Sequence, residues 1–147
     1  MKRSEIMKKT VRELDKVLET KNVDKGLSLF SKKCSIEMLG ITLKGKTGVK
    51  KWFGWLFGSF EKIKIRNLTV FVQGEKMFKE YVLVATLHDG NNICSKQSEV
   101  ITFYGDKIKN IRIYFDRIDF KDLVADNFIK KIFLDRLVEK PLEELRK

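Results

Sequence analysis

Proline and histidine each occur once in this chain and cysteine twice. Each scarcity removes a class of explanation. The cysteines, Cys34 and Cys94, stand 60 positions apart, each alone in an apolar stretch. With His88 as the single histidine, neither a CxxC redox pair nor a zinc ligand set can be assembled. No apolar run approaches the roughly 18 residues a membrane span needs. The opening MKRSEIMKKTVRELDK is charged throughout and lacks the apolar core of a secretory signal. These absences lead us to expect reduced thiols in a cytoplasmic protein, with no metal, no cofactor and no low-complexity linker. The lone proline, Pro141, lies near the end of the chain.

Positive charge is what the chain has in excess. Its 147 residues carry a net +11 and are 43% hydrophobic, which suits one domain with a sizeable core. The excess is uneven, with 17 lysines and arginines against 7 acids over residues 1–66, and 14 against 13 over residues 67–147. A basic half can meet nucleic acid, an acidic membrane surface or an anionic ligand. Here the lysines are scattered rather than blocked, as on a solvated surface. No exposed aromatics for stacking on bases are evident among them, which argues against nucleic acid.

Periodicity changes along the chain. Over residues 3–20, Ile6, Met7, Val11, Leu14, Val17 and Leu18 share one arc of a helical wheel. A short helical stretch, Val23 to Phe30, and a short strand, CSIEML at 34–39, come next. A third helix over 46–60 aligns Val49, Trp52, Phe53, Leu56 and Phe60. Its Gly54 and Gly58 share another side, where either a backbone or ligand comes close or a weakness is tolerated. From Glu61 the period becomes two, with a slip near Arg66-Asn67 that marks a bulge and a bend. Strands over 77–88, 95–104 and 108–116 follow across short turns at Asp89-Gly90-Asn91-Asn92 and Gly105-Asp106, giving an antiparallel meander of four long strands. Residues 119–139 read as helix, with Asp119 as N-cap and Pro141 as its stop. Phe120, Leu123 and Val124 face opposite to Ile129, Ile132, Phe133 and Leu137, so this helix either breaks near Asn127 or is sandwiched. The sum is an α+β domain: a curved antiparallel sheet of four long strands and one short, N-terminal helices over it, and an additional C-terminal helix.

That order resembles the nuclear transport factor two-like, cone-shaped superfamily, and within it the SnoaL-like polyketide cyclase and ketosteroid isomerase-like group. The residues that carry the resemblance are Val23 to Phe30 with CSIEMLG, GKTGVKKWF at 45–53, and above all GDKIKNIRIYFD at 105–116. It covers about residues 3–123 and leaves about 124–147 as a helical extension. It implies a cone whose helices cover the concave sheet face over a mostly apolar pocket, and sheet-to-sheet homodimers. It also implies that an aspartate near the end of the last strand, here Asp116, removes a proton beside a carbonyl. A ketosteroid isomerase would carry its aspartate just after the first strand, where this chain has Met38 beside Glu37.

The strands have one apolar parity (Leu83, Ala85, Leu87, Ile101, Phe103, Ile111, Ile113, Phe115) and one mixed parity (Glu80, Thr86, His88, Thr102, Tyr104, Arg112, Tyr114, Asp116). In one assignment the apolar parity is the core and the mixed one meets water. In the other, which the resemblance favours, the mixed parity lines the pocket and the apolar one packs on a second copy. Asp116 is then a general base, Tyr114 a hydrogen-bond donor to an enolate oxygen, and His88 a second acid/base group. Arg112, Glu80, Tyr104, Trp52 and Trp55 would contact an apolar small-molecule ligand. The expected function is cofactor-independent isomerisation or cyclisation of an apolar carbonyl compound. The alternative is a non-catalytic dimeric binding or assembly module that uses the outer sheet face.

Overall fold

In a computed structural model that describes residues 2–124 and 128–147, helix α1 (Arg3–Thr20) buries Met7, Val11, Leu14, Val17 and Leu18, as its period requires. Each such burial contributes about 1.5–3 kcal/mol. The helix ends at Lys21, whose φ of 59° lies in the left-handed region, at a cost of about 1 kcal/mol for a side-chain-bearing residue. The Lys21 ammonium offsets this by donating to the carbonyls of Phe57 and Phe60. Helix α2 (Val23–Ser28) is capped by Asn22, whose side chain accepts the Lys25 N–H. It packs on α3 (Gly45–Ser59), which buries Val49, Trp52, Phe53 and Leu56.

Six strands form one sheet: β1 (Phe30–Met38), β2 (Ile41–Lys44), β3 (Lys62–Gln73), β4 (Lys76–Thr86), β5 (Asn92–Tyr104) and β6 (Lys107–Tyr114). Their order is β2-β1-β6-β5-β4-β3, antiparallel throughout except for the parallel β1–β6 pair. The β3–β4 register shifts between Asn67 and Thr69, beside the slip seen in the sequence, and this bulge bends the sheet. The α+β architecture is the one expected, with a strand more. β1 starts at Phe30, and a hairpin through Leu39 and Gly40, both at positive φ, adds β2. Four residues that run straight into α3 are too few to display a period of two.

Three local expectations change. Gly54 and Gly58 have open space around them, whereas a Cβ on Gly48 would lie 2.6 Å from the carbonyl carbon of Leu43. The close backbone approach therefore belongs to the start of α3. Asp119 is not a helix cap: Asp116 accepts the Ile118 N–H at 2.9 Å and opens a 3₁₀ turn, Arg117–Phe120, that leads into α4 (Lys121–Val124). Pro141 does not end helix α5 (Phe128–Leu145) but lies inside it. It removes only its own donor, and the carbonyl four residues back belongs to exposed Leu137, where water can take the bond. The expected break near Asn127 lies outside the described residues.

The helices cover the apolar parity. Leu83, Ala85, Ile101, Phe103, Ile111 and Ile113 are buried with α1 and α3 in a single core, while Tyr104 and Tyr114 are 72% and 55% exposed. This corrects the assignment that placed the mixed parity under the helices. Only the apolar parity can be dehydrated beneath α1 and α3 without stranding Arg112, Tyr114 and Asp116 away from water. Among the described residues no helix is long and apolar enough to cross a membrane.

Candidate functional site

Between α1, α3 and the concave sheet face lies a funnel-shaped cavity, walled by Leu14, Leu18, Trp52, Leu56, Ile113 and Phe120. Its volume is about 30 Å³. That is room for about two waters, since one needs roughly 10–15 Å³. Any organic ligand therefore needs the lining side chains to move apart, and of these Trp55 is 40% exposed.

The cavity floor is polar. Lys79 (1% exposed), Tyr81, Gln97 and Glu99 project from β4 and β5 on the buried parity, and Asp15 joins them from α1. Sheet register creates the group, with Lys79 opposite Glu99 and Tyr81 opposite Gln97. The Lys79 ammonium donates to Asp15 Oδ1, lies 3.9 Å from Glu99 Oε1, and sits 4.7 Å from the centre of the Tyr81 ring. Asp15 Oδ2 accepts from Asn67 Nδ2 at 3.1 Å. A side-chain network continues outward: Tyr81 Oη lies 2.9 Å from Gln97 Oε1 and 3.2 Å from Glu99 Oε2. Gln97 Nε2 donates to Ser95 Oγ at 3.2 Å, and Ser95 donates to Asp119 Oδ2 at 2.7 Å. Asp119 thus ties the 3₁₀ turn, and with it Phe120, to the edge of the cavity.

Ser95 gives its single hydrogen to Asp119, so it accepts from the Gln97 amide and leaves the Gln97 carbonyl facing Tyr81. Tyr81 gives its one hydrogen to that carbonyl, the shorter of its two contacts. Its longer contact, to Glu99 Oε2 at 3.2 Å, shares the same hydrogen. Burial pushes the Glu99 carboxyl above its usual range; Lys79 draws it back, Asp15 adds to the rise, and the hydrogen bond from Tyr81 lowers it. Burial, with the charge of Glu99, also pushes Tyr81 well up, keeping the phenol neutral. One buried ammonium is thus paired directly with Asp15 and lies 3.9 Å from Glu99, whose carboxyl burial shifts toward its protonated form. Two buried carboxyl groups beside one cation can serve acid–base chemistry.

Trp52 and Trp55 line this cavity. The other predicted residues lie elsewhere. Asp116 is exposed and caps the 3₁₀ turn. Tyr114 and Arg112 border a separate shallow hollow beside Glu37 and the β1–β2 turn. Glu80 is exposed and accepts the Thr69 hydroxyl at 3.0 Å, and Tyr104 stands in solvent. His88, also exposed, bridges Glu61 at 3.0 Å and the Gly58 carbonyl at 2.9 Å. The cluster of Asp15, Lys79, Tyr81, Gln97 and Glu99 was missed, although the apolar parity carried its signal. Extended upstream, that parity reads Lys79, Tyr81 and Ser95, Gln97, Glu99 on strands otherwise apolar on that side. Asp15 likewise sits among Val11, Leu14 and Leu18 on the apolar arc of α1. Among the described residues no group of three or more histidines, cysteines or acids is placed to hold a metal ion.

No family model matches the sequence, and no curated protein matches it. Solved structures do match the fold. A putative SnoaL-like polyketide cyclase from Jannaschia sp. CCS1 superposes with a TM-score of 0.74 at 12% identity, covering 84% of this chain and 94% of that one. A ketosteroid isomerase-like protein from Catenulispora acidiphila, in complex with trimethylamine, gives 0.70 at 13% identity over 78% and 90% of the two chains. The epoxide hydrolase/cyclase-like enzyme SalBIII, of pyran ring formation in salinomycin, gives 0.70 at 16% identity over 78% and 94%.

Proposed function

We propose that this chain, which has the nuclear transport factor two-like cone fold, binds a small, mostly apolar oxygenated molecule in the cone and moves protons on it. The ligand's oxygen faces the Lys79–Glu99 floor and its carbon skeleton lies against Trp52, Leu56 and Phe120. Glu99 is the acid that hydrogen-bonds a carbonyl oxygen. Asp15 is the base that takes a proton from the adjacent carbon and returns it at the end of the conjugated system, so the product is a double-bond isomer of the substrate. The base role thus moves from Asp116 to Asp15.

One observation carries this reading: two buried carboxyl groups share one buried ammonium at the polar end of an apolar cavity. Buried ion pairs contribute little to stability relative to well-packed apolar residues. A polar cluster at the end of an apolar pocket is instead the usual form of a small-molecule site. The neighbours named for cyclase chemistry and for a bound amine share this fold and support a ligand in the cone.

The test is spectroscopic first. Infrared difference spectra of wild type against Glu99→Gln in neutral buffer are expected to show a protonated carboxyl band that the variant lacks; an ionised Glu99 would overturn the acid role. Small cyclic ketones in heavy water then report exchange of the protons beside the carbonyl. Catalysed exchange is expected to survive Asp116→Asn and to fall about 100-fold or more in Asp15→Asn, within the range of general-base contributions.

A second reading, assembly of two copies through the outer sheet face, rests on Phe71, which is 54% exposed and stacked on Phe78, together with exposed Tyr114. Sedimentation at micromolar concentration decides it, and a monomer there would rule it out.

A further inference from the structure

Two irregularities meet where β1 and β6 run side by side. Between the pairs Phe30 with Ile108 and Ser35 with Asn110, the register advances five residues along β1 and two along β6. Bulged residues leave the ladder, so side chains that strict alternation would send to opposite faces can crowd together. Lys32 and Lys33 come from the β1 irregularity and Lys109 from that of β6. Strand β2 adds Lys44, directly opposite Ser35. The four lysines share one shallow hollow of about 480 Å³ with Ser35, Thr42, Gly45 and Asn110, on the sheet edge away from the cone cavity.

The charge in this hollow is unanswered. No carboxylate lines it, and among the described residues none of its lysines forms a salt bridge, whereas Lys25, Lys79, Lys121 and Lys147 each contact an acid. Glu37, at its margin, already receives the Asn110 amide at 3.4 Å; the same amide donates to Ser35 Oγ at 2.8 Å. Helix α3 begins on the rim at Gly45 with no side-chain cap and no acid in its first turn, so its positive end adds to the same potential. Four lysines around one hollow give it a positive potential, which a multivalent anion would answer.

We propose that this hollow is a binding site for phosphate groups. Lys32, Lys33, Lys44 and Lys109 supply point charges, while the Ser35 and Thr42 hydroxyls supply hydrogen-bond donors. No aromatic side chain lines the hollow, so it lacks the stacking platform of single-stranded nucleic-acid sites. That favours a compact phosphorylated group over a nucleic-acid strand.

The experiment titrates pyrophosphate into isotope-labelled protein and follows backbone amide shifts. Two double variants with the same charge change are compared, Lys33→Glu with Lys109→Glu in the hollow and Lys8→Glu with Lys9→Glu on the exposed side of α1. Circular dichroism first confirms that both fold. Saturable shifts centred on Ser35, Gly45 and Asn110 are expected, weakened about tenfold or more in the hollow variant and less than about twofold in the α1 variant. Equal weakening in both variants, shifts spread evenly along α1, or no saturation would overturn the proposal. Phosphatidylcholine vesicles with and without phosphatidic acid distinguish the source. If pyrophosphate displaces the acidic vesicles from these same amides, the phosphate is also read from a lipid headgroup; if only pyrophosphate binds, the ligand is soluble. An RNA oligonucleotide that binds more tightly than pyrophosphate and shifts α1 as strongly as the hollow would count against the site.

Discussion

The two faces of one sheet carry nearly the same chemical types with opposite consequences. The inner face holds Lys79, Tyr81 and Glu99; the outer face holds Arg112, Tyr114 and Glu80, with Asp116 just past the end of β6. Inside, register and burial force the groups onto one another, so the charge of each depends on its neighbours. Outside, no such cluster forms among the described residues: Glu80 takes the Thr69 hydroxyl and Asp116 the Ile118 N–H, each within reach of water. Residue type therefore says little about chemistry here until the face is known.

The sharpest way to break this comparison is to remove one cation from each face. Lys79→Met leaves Asp15 and Glu99 buried without their partner and is expected to cost about 3–5 kcal/mol in urea unfolding. Arg112→Met on the outer face is expected to stay within about 0.5 kcal/mol. Equal effects would mean that the inner cluster is not energetically coupled, and the acid–base assignment would lose its basis.

Helix α3 offers the next contrast. Gly48→Ala puts a methyl group against the Leu43 backbone, and such overpacking typically costs about 1–3 kcal/mol. Gly54→Ala enters open space on the exposed side and is expected to stabilise by about 0.5–1 kcal/mol through the better helix former. Thermal melts of the two variants should move in opposite directions. Two downward shifts would show that the outer side of α3 is also packed.

Asp116→Ala is smaller again. It removes the acceptor for the Ile118 N–H and is expected to cost about 1 kcal/mol, as helix caps do, while ketone exchange stays at the wild-type rate. Loss of exchange with little loss of stability would return the base role to Asp116.

The frame of the molecule was legible because periodicity reports burial directly. The arc of α1, the stripe of α3, the meander and the bend in β3 all follow from where apolar residues recur. The strand β2 was hidden by its length, and the end of α5 by the rule that proline stops helices, which an exposed helix can tolerate. The site was harder to see because the polar groups at the strand end IRIYFD are conspicuous, whereas those of the cluster stand singly on otherwise apolar strands. Lys79 and Glu99 lie 20 positions apart, and only the β4–β5 register brings them opposite one another. Asp15 joins them from a helix more than 60 residues away from Lys79, a contact that pattern in one dimension does not express.

The comparison also separates along the pH axis. Both His88 outside and Glu99 inside have raised values, so each contributes stability that is present in acid and lost as pH rises. For His88 the hydrogen bond to the Gly58 carbonyl is the larger cause and the Glu61 carboxylate the next. Both partners can only accept, so both ring nitrogens must donate and the bound form is the imidazolium. Its contribution is complete below the unfolded value of 6.5 and disappears as pH climbs through the raised folded one. For Glu99 burial is the larger cause, and the loss begins above the unfolded value of 4.5. The two windows start at different points, so variants can separate them. Glu99→Gln is expected to flatten the fall in stability that begins in mild acid, and His88→Gln only the fall that begins near neutrality. Urea midpoints measured across this range provide the check. A His88→Gln curve parallel to wild type would show that the bridge to Gly58 and Glu61 is not held in solution, leaving Lys21 as the cation that serves the end of α3.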